Sequence, residues 1–158
     1  MFVIDLALRR VQMVGSTPHP AALFMRQVAR TLSAADDGFL RDHAVLICDR
    51  DRKWSGEVRQ LLQKAGIHVV QTPRQAPNAN AYAERFVRLI KDECLDRMMP
   101  LGECHFRRTL TEYVAHYHQE RNHQGLRNRL IDGVARQEGR IHRRSRLGSL
   151  LSYDERAA

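Results

Sequence analysis

Glu84, Arg88 and Lys91 stand at i, i+4 and i+7 within the run PNANAYAERFVRLIKDE. At 100° per residue they form one stripe of a helix, and Phe86, Ile90 and Cys94 form the opposite one, flanked by Val87 and Leu89. Asn80 is a good N-cap and Pro77 closes the loop before it, so Glu84 falls in the first turn. A metal-binding acid beside phosphate-binding cations has this pattern, and so does an ordinary i,i+4 surface ion pair. The second chemically capable residue is Asp49, at the end of HAVLICD. Ala44 to Cys48 is an apolar run without alternation, the pattern of a strand covered on both faces inside an α/β sheet. In open α/β sheets chemistry collects at the carboxyl ends of strands. Asp49 is therefore either a functional carboxylate or a turn residue ahead of a helix that Ser55 begins.

The elements that must position these residues read off in order. Phe2 to Ala7 and Val11 to Thr17 form a hairpin around Leu8-Arg9-Arg10. Thr17-Pro18-His19-Pro20 opens a helix marked by Ala21, Phe24, Val28 and Leu32. A polar loop, residues 34–41, leads back to the strand of Asp49. Ser55 caps a helix with Val58, Leu61, Leu62 and Ala65 on its apolar face, and Gly66 stops it. Ile67 to Gln71 is a short strand. Residues 72–79, with Pro73, Arg74 and Pro77, are expected to be irregular. After the Glu84 helix, a further helix from about Glu103 to Glu120 carries Phe106, Leu110, Tyr113, Val114 and Tyr117, an aromatic stripe suited to a core. From Arg127 the composition shifts to a solvated, partly helical tail rich in arginine, including Arg136, Arg143, Arg144 and Arg146.

ICDR, PNANAYAERFVRLIKDECLDR and YHQERNHQGL, in that order, resemble the catalytic core of bacterial insertion-sequence transposases of the retroviral-integrase type. These are DDE enzymes of the RNase H-like superfamily. The likeness runs from about Phe2 to Leu130. Asp49 matches the family's second acid and Glu84, 35 positions on, its third. Ala79-Asn80 replaces a frequent Asp-Asn, and Arg121-Asn122-His123 replaces a frequent Arg-Pro-His.

The resemblance implies an α/β fold, an RNase H-like mixed sheet flanked by helices. It also implies DNA cleavage and strand transfer, with Asp49 and Glu84 as catalytic metal ligands. Clustered carboxylates would hold two ions about 4 Å apart, Mg2+ with Mn2+ as a substitute. Arg88, Lys91 and Arg74 would contact the DNA backbone, joined by Arg143 and Arg144, and residues 72–79 would be a mobile loop beside the site. The expected division is an integrase-type core over 1–126 and a basic tail over 127–158. The family has three strands ahead of the first helix, with the first acid in the first strand. Only two are present here, resembling the second and third, so the first strand and its acid are expected upstream of Met1. Asp5, in what resembles the second strand, is the acid nearest to that role. The expectation is a core inactive alone; the rival is a remnant that only binds DNA or other subunits.

Composition fits this frame. The 158 residues suit one domain with its own core. Lys and Arg exceed Asp and Glu to give a formal charge of +8, pointing to a polyanionic partner. Three cysteines without a C-x-x-C pair argue against a disulfide framework and fit a reducing cytoplasm, and the resemblance implies a bacterial, nucleoid-associated setting there. No apolar run reaches membrane length and no leader pattern follows Met1. His105, His116, His118 and His123 near Cys104 lack the paired spacing of a zinc site. The absence of a nucleophile elbow or glycine-rich phosphate loop disfavours hydrolase triads and nucleotide-driven motors. The expected partners are DNA and further copies of the chain, with neither a membrane nor a small-molecule substrate.

Overall fold

The structure, a computed structural model, describes residues 1–74, 77–133 and 139–156. Helices and strands are mixed in an α/β arrangement, and the chain gathers into two compact units. One comprises Met1–Phe2 with Val14–Ala81, the other Val3–Met13 with Tyr82–Ala158. The split of a catalytic core at 1–126 from a tail at 127–158 is a functional division and stays a proposal.

In the first unit α1 (Ala22–Leu32) buries Met25, Val28, Ala29 and Leu32, and Leu23 stays outside. It packs on α2 (Gly56–Lys64), which buries Val58 and Leu62. Ser55 caps α2 by accepting from the Val58 amide, as its position predicts. Gly66, at φ +82°, ends it: its amide donates to Gln63 O and that of Ile67 to Leu62 O, a Schellman stop. The strands β3 (Val45–Cys48) and β4 (His68–Gln71) pair in parallel, Val45 opposite His68 through Cys48 opposite Gln71.

One expectation is corrected here. The Asp49 strand is covered on one face only: Leu46 and Cys48 are buried, but Val45 and Ile47 are 49% and 43% exposed. An unbroken apolar run records side-chain type, and one helical layer covers only alternate residues of it. The described strands pair two by two in three small sheets.

The hairpin of β1 (Phe2–Ile4) and β2 (Val11–Met13), which apart from Phe2 belongs to the second unit, is shorter than its hydrophobic pattern suggests. Its turn is built by Asp5, whose Oδ1 accepts from the amides of Ala7 and Leu8, each at 2.7 Å. The Asp5 amide donates to Arg10 O and the Arg9 amide to Asp5 O, with Arg9 at φ +62°. Residues 72–79 are not irregular throughout: Pro77–Asn80 is a 3₁₀ turn leading into α3 (Ala81–Glu93), and Gln75 and Ala76 lie outside the described residues. After another 3₁₀ turn, Leu95–Arg97, comes α4 (Gly102–Gln119). Tyr113, Tyr117 and Leu110 of its aromatic stripe are buried as expected. Among the described residues the basic tail forms a β-hairpin and no helix: β5 (Ile141–Arg146) pairs antiparallel with β6 (Leu151–Arg156), while Arg136 lies outside the described residues. Alternation explains it. Leu151, Tyr153 and Glu155 share one face of β6, and only that face is covered.

Candidate active site

Glu84 is held by what lies on the other side of α3. Phe86, Ile90 and Cys94 are buried, and Phe86 meets Tyr117 edge-on with ring centroids 5.1 Å apart. At the far end, Glu93 accepts from Tyr113 Oη at 2.8 Å and from Arg121 Nη2 at 2.8 Å. At the near end, the Arg9 guanidinium lies 3.7 Å from the centre of the Tyr82 ring, tying the hairpin turn to the first turn of α3. The outer stripe is left to solvent. Glu84, Arg88 and Lys91 are exposed and, among the described residues, make no ion pair. The i,i+4 pair that the spacing also permits is therefore not formed.

The third sequence motif proves to be the fastening of this helix. Arg121 holds Glu93, His123 Nε2 lies 2.7 Å from Tyr117 O, and His118 Nε2 accepts from the Val11 amide at 2.9 Å. Glu120 joins His116 Nδ1 at 2.9 Å and accepts from Arg146 at 2.7 Å. His105 Nδ1 accepts from the Leu101 amide. These histidines thus serve in local structure. Burial would raise the Glu93 pKa, but hydrogen bonds from Arg121 and Tyr113 outweigh it and leave the carboxyl below its ordinary range. Glu120 is lowered too, with Arg146 and His116 overcoming burial. Burial lowers His118 and His123.

Asp49, in the other unit, follows the last residue of β3. The Thr72 amide donates to Cys48 O at 2.9 Å, and Arg50 Nε donates to Thr72 O at 2.8 Å. The two chain segments leaving the parallel strands are thereby joined at the carboxyl edge of the sheet. Asp49 Oδ2 accepts from Lys53 Nζ at 3.0 Å, and the same ammonium lies 3.0 Å from Asp51 Oδ2. Burial would lower the Lys53 pKa, but hydrogen bonds to both carboxylates raise it overall, so the ammonium stays charged. Burial and then the Asp49 charge push the neighbouring Cys48 thiol up to about 11, which keeps it from acting as a thiolate at neutral pH. Lys53 and Asp51 were not singled out by the sequence reading. The signal was the Asp-x-Asp-x-Lys spacing immediately after the strand.

Magnesium takes one or two protein carboxylates and completes its shell with water and substrate phosphate oxygens. Asp49 offers a hard oxygen donor, and the Lys53 ammonium marks where a cation is held against it. Its side chain is 47% exposed, so an ion could reach it. Among the described residues no three His, Cys, Asp or Glu side chains gather around one metal position. The residues fit an ion carried by few carboxylates and shared with a phosphate ligand.

The remaining candidates stand in separate elements. Arg74 is exposed in the segment after β4. Arg143 donates to Ser152 Oγ, and Arg144 is paired with Glu155, both within the C-terminal hairpin. No helix among the described residues is long and apolar enough to cross a membrane. No curated protein and no solved structure matches the chain. Residues 65–130, from the end of α2 through α3, α4 and the fastening motif, match the family model described as an integrase core domain.

Proposed function

We propose that this chain is the core of a DNA transposase or integrase of the DDE type, with an RNase H-like arrangement, from a bacterial mobile element. The observation that carries the reading lies inside the matched stretch. One face of α3 is built into the core, while its other face presents a carboxylate and two cations that no internal ion pair consumes among the described residues. Asp49 and Glu84 are the proposed ligands for Mg2+ or Mn2+. When bound, the metal would supply Lewis-acid activation of a water or 3′ hydroxyl and stabilisation of the leaving oxygen. Arg88, Lys91 and Arg74 hold the DNA backbone, which positions the substrate without choosing its sequence. Arg143 and Arg144 add to that surface less strongly, because their guanidinium groups already have partners. The setting is the nucleoid.

The chain alone is proposed to bind DNA without cutting it. A two-metal centre would draw on a third acid besides Asp49 and Glu84, and Asp5 has its Oδ1 committed to two turn amides. The commitment of Asp5 equally favours a second reading, a remnant that serves only as a DNA-binding or subunit-association module.

A cleavage and strand-transfer assay with Mg2+ and then Mn2+ tests this on the parent chain, Asp5→Asn and Asp49→Asn. We expect salt-sensitive DNA binding and no turnover in any of them. Turnover in the parent that disappears in Asp5→Asn would make Asp5 the first acid and overturn the inactivity. No DNA binding at low ionic strength would overturn the DNA reading itself.

A further inference from the structure

The turn after β3 is arranged around Lys53. The Lys53 amide donates to Asp51 Oδ1 at 3.0 Å, the Asp51 amide to Asp49 Oδ1 at 3.4 Å, and the Trp54 amide to Asp51 O at 3.1 Å. Trp54, the next residue, is buried and anchors the turn. The backbone therefore delivers the ammonium to its place, where Nζ is 3.0 Å from Asp49 Oδ2 and 3.0 Å from Asp51 Oδ2. The lysine side chain is only 21% exposed, whereas both carboxylates are about half exposed. Such a geometry differs from a surface ion pair, in which two long side chains meet at solvent with little to fix them.

The two oxygens of Asp49 have different partners. Oδ1 takes an amide of the turn, and Oδ2 takes the ammonium. A divalent cation on Oδ2 would lie within a few ångströms of a fixed positive charge, and the repulsion is largest at such distances. Asp51 offers the ammonium a second partner on the same turn, so Lys53 can leave Asp49 without leaving the site.

We propose that Lys53 is a built-in counterion for Asp49: it occupies the cation position at Oδ2 until a divalent ion displaces it, and Asp51 retains it afterwards. The proposal rests on Asp49 being a metal ligand. Lys53 is then a positioning residue that acts on the reaction through Asp49. It keeps that carboxylate aimed while the metal is absent, and it weakens metal binding by competing for the same oxygen. Asp51 acts in the opposite sense, by holding the competitor away.

The test is a Mn2+ titration of the full chain, with free Mn2+ followed by electron paramagnetic resonance. Lys53→Met should bind Mn2+ about three- to tenfold more tightly than the parent, and Lys53→Gln likewise, because either removes the competing charge. Lys53→Arg keeps the charge and should stay near the parent. Asp51→Asn should bind more weakly, and the same change in the Lys53→Met background should have no effect. Unchanged or weaker affinity in both neutral variants would overturn the counterion role, since loss of a merely structural lysine does not tighten metal binding. Weakening by Asp51→Asn in the Lys53→Met background would make Asp51 a ligand and overturn its holding role. Asp49→Asn separates the two layers: Mn2+ binding that survives it refutes the assignment of Asp49, whereas binding that disappears with it leaves the Lys53 outcome to stand or fall alone.

Discussion

Two basic surfaces of the second unit, the outer stripe of α3 and the C-terminal hairpin, look alike in composition and differ in what their charges do. On α3, Arg88 and Lys91 project to solvent with no ion pair among the described residues. On the hairpin, Arg144 pairs with Glu155 and Arg143 donates to Ser152, while Arg146 reaches back to Glu112 and Glu120 at 2.7 Å each. A phosphate approaching the hairpin must compete with carboxylates already in place. A phosphate approaching α3 displaces only water and counterions, which is the usual source of favourable entropy in DNA binding. A count of arginines cannot separate these cases; the partners can. The hairpin's cations act chiefly in holding the fold together, and those of α3 are left available for a ligand.

The largest difference should appear on neutralising Arg146. Arg146→Met leaves Glu120, which is 7% exposed, and Glu112 without their cation. Unpairing such a group should cost about 2–3 kcal/mol in chemical denaturation, and Arg88→Met should stay within about 0.5 kcal/mol of the parent. Equal stability of the two variants would break the contrast.

DNA affinity should sort the surfaces the other way. Replacing both Arg88 and Lys91 by Ala should make the log–log salt slope shallower by about 1.8, or 0.9 per phosphate contact. Replacing both Arg143 and Arg144 should change it by less than about half of that. A larger change from the hairpin pair would put the DNA surface on the tail.

The smallest effect is a gradual one on acidification. Burial lowers His118 below its ordinary 6.5, so the unfolded chain takes up that proton first and stability begins to fall as the pH drops through about 6.5. Glu93 and Glu120 are lowered from 4.5, so their contributions are intact above that value and are lost as the pH falls through their depressed folded values. Stability should therefore decline in two stages on the acid side. Glu93→Gln should flatten the second. A chain equally stable from pH 7 to pH 4 would contradict the role of these anchors.

Much of this was legible in the sequence because it rests on local rules. The spacing of Phe86, Ile90 and Cys94 marks the buried face of α3, and Ser55 and Gly66 mark the ends of α2. The coverage of β3 was not legible, since Val45 and Leu46 are equally apolar and only the layers around the strand decide which is buried. Nor was the hairpin, where arginine conceals an alternation carried by Leu151 and Tyr153. At the candidate site, Asp49 and Glu84 stood out by spacing and position. The role of Lys53 did not, because it depends on a turn that folds one side chain back over two carboxylates. The YHQERNHQGL motif resembled a family signature without revealing that its residues brace α3.

The central proposal is that Asp49 and Glu84 are ligands of a divalent metal. It is tested most directly by crystals soaked in Mn2+ and read in an anomalous difference map. The account predicts Mn2+ bound by the Asp49 carboxylate and by the Glu84 carboxylate, and loss of the peak at Asp49 in Asp49→Asn. A Mn2+ ion held by Asp49 and Asp51 with none bound by Glu84 would contradict the proposal, as would no ion at either carboxylate.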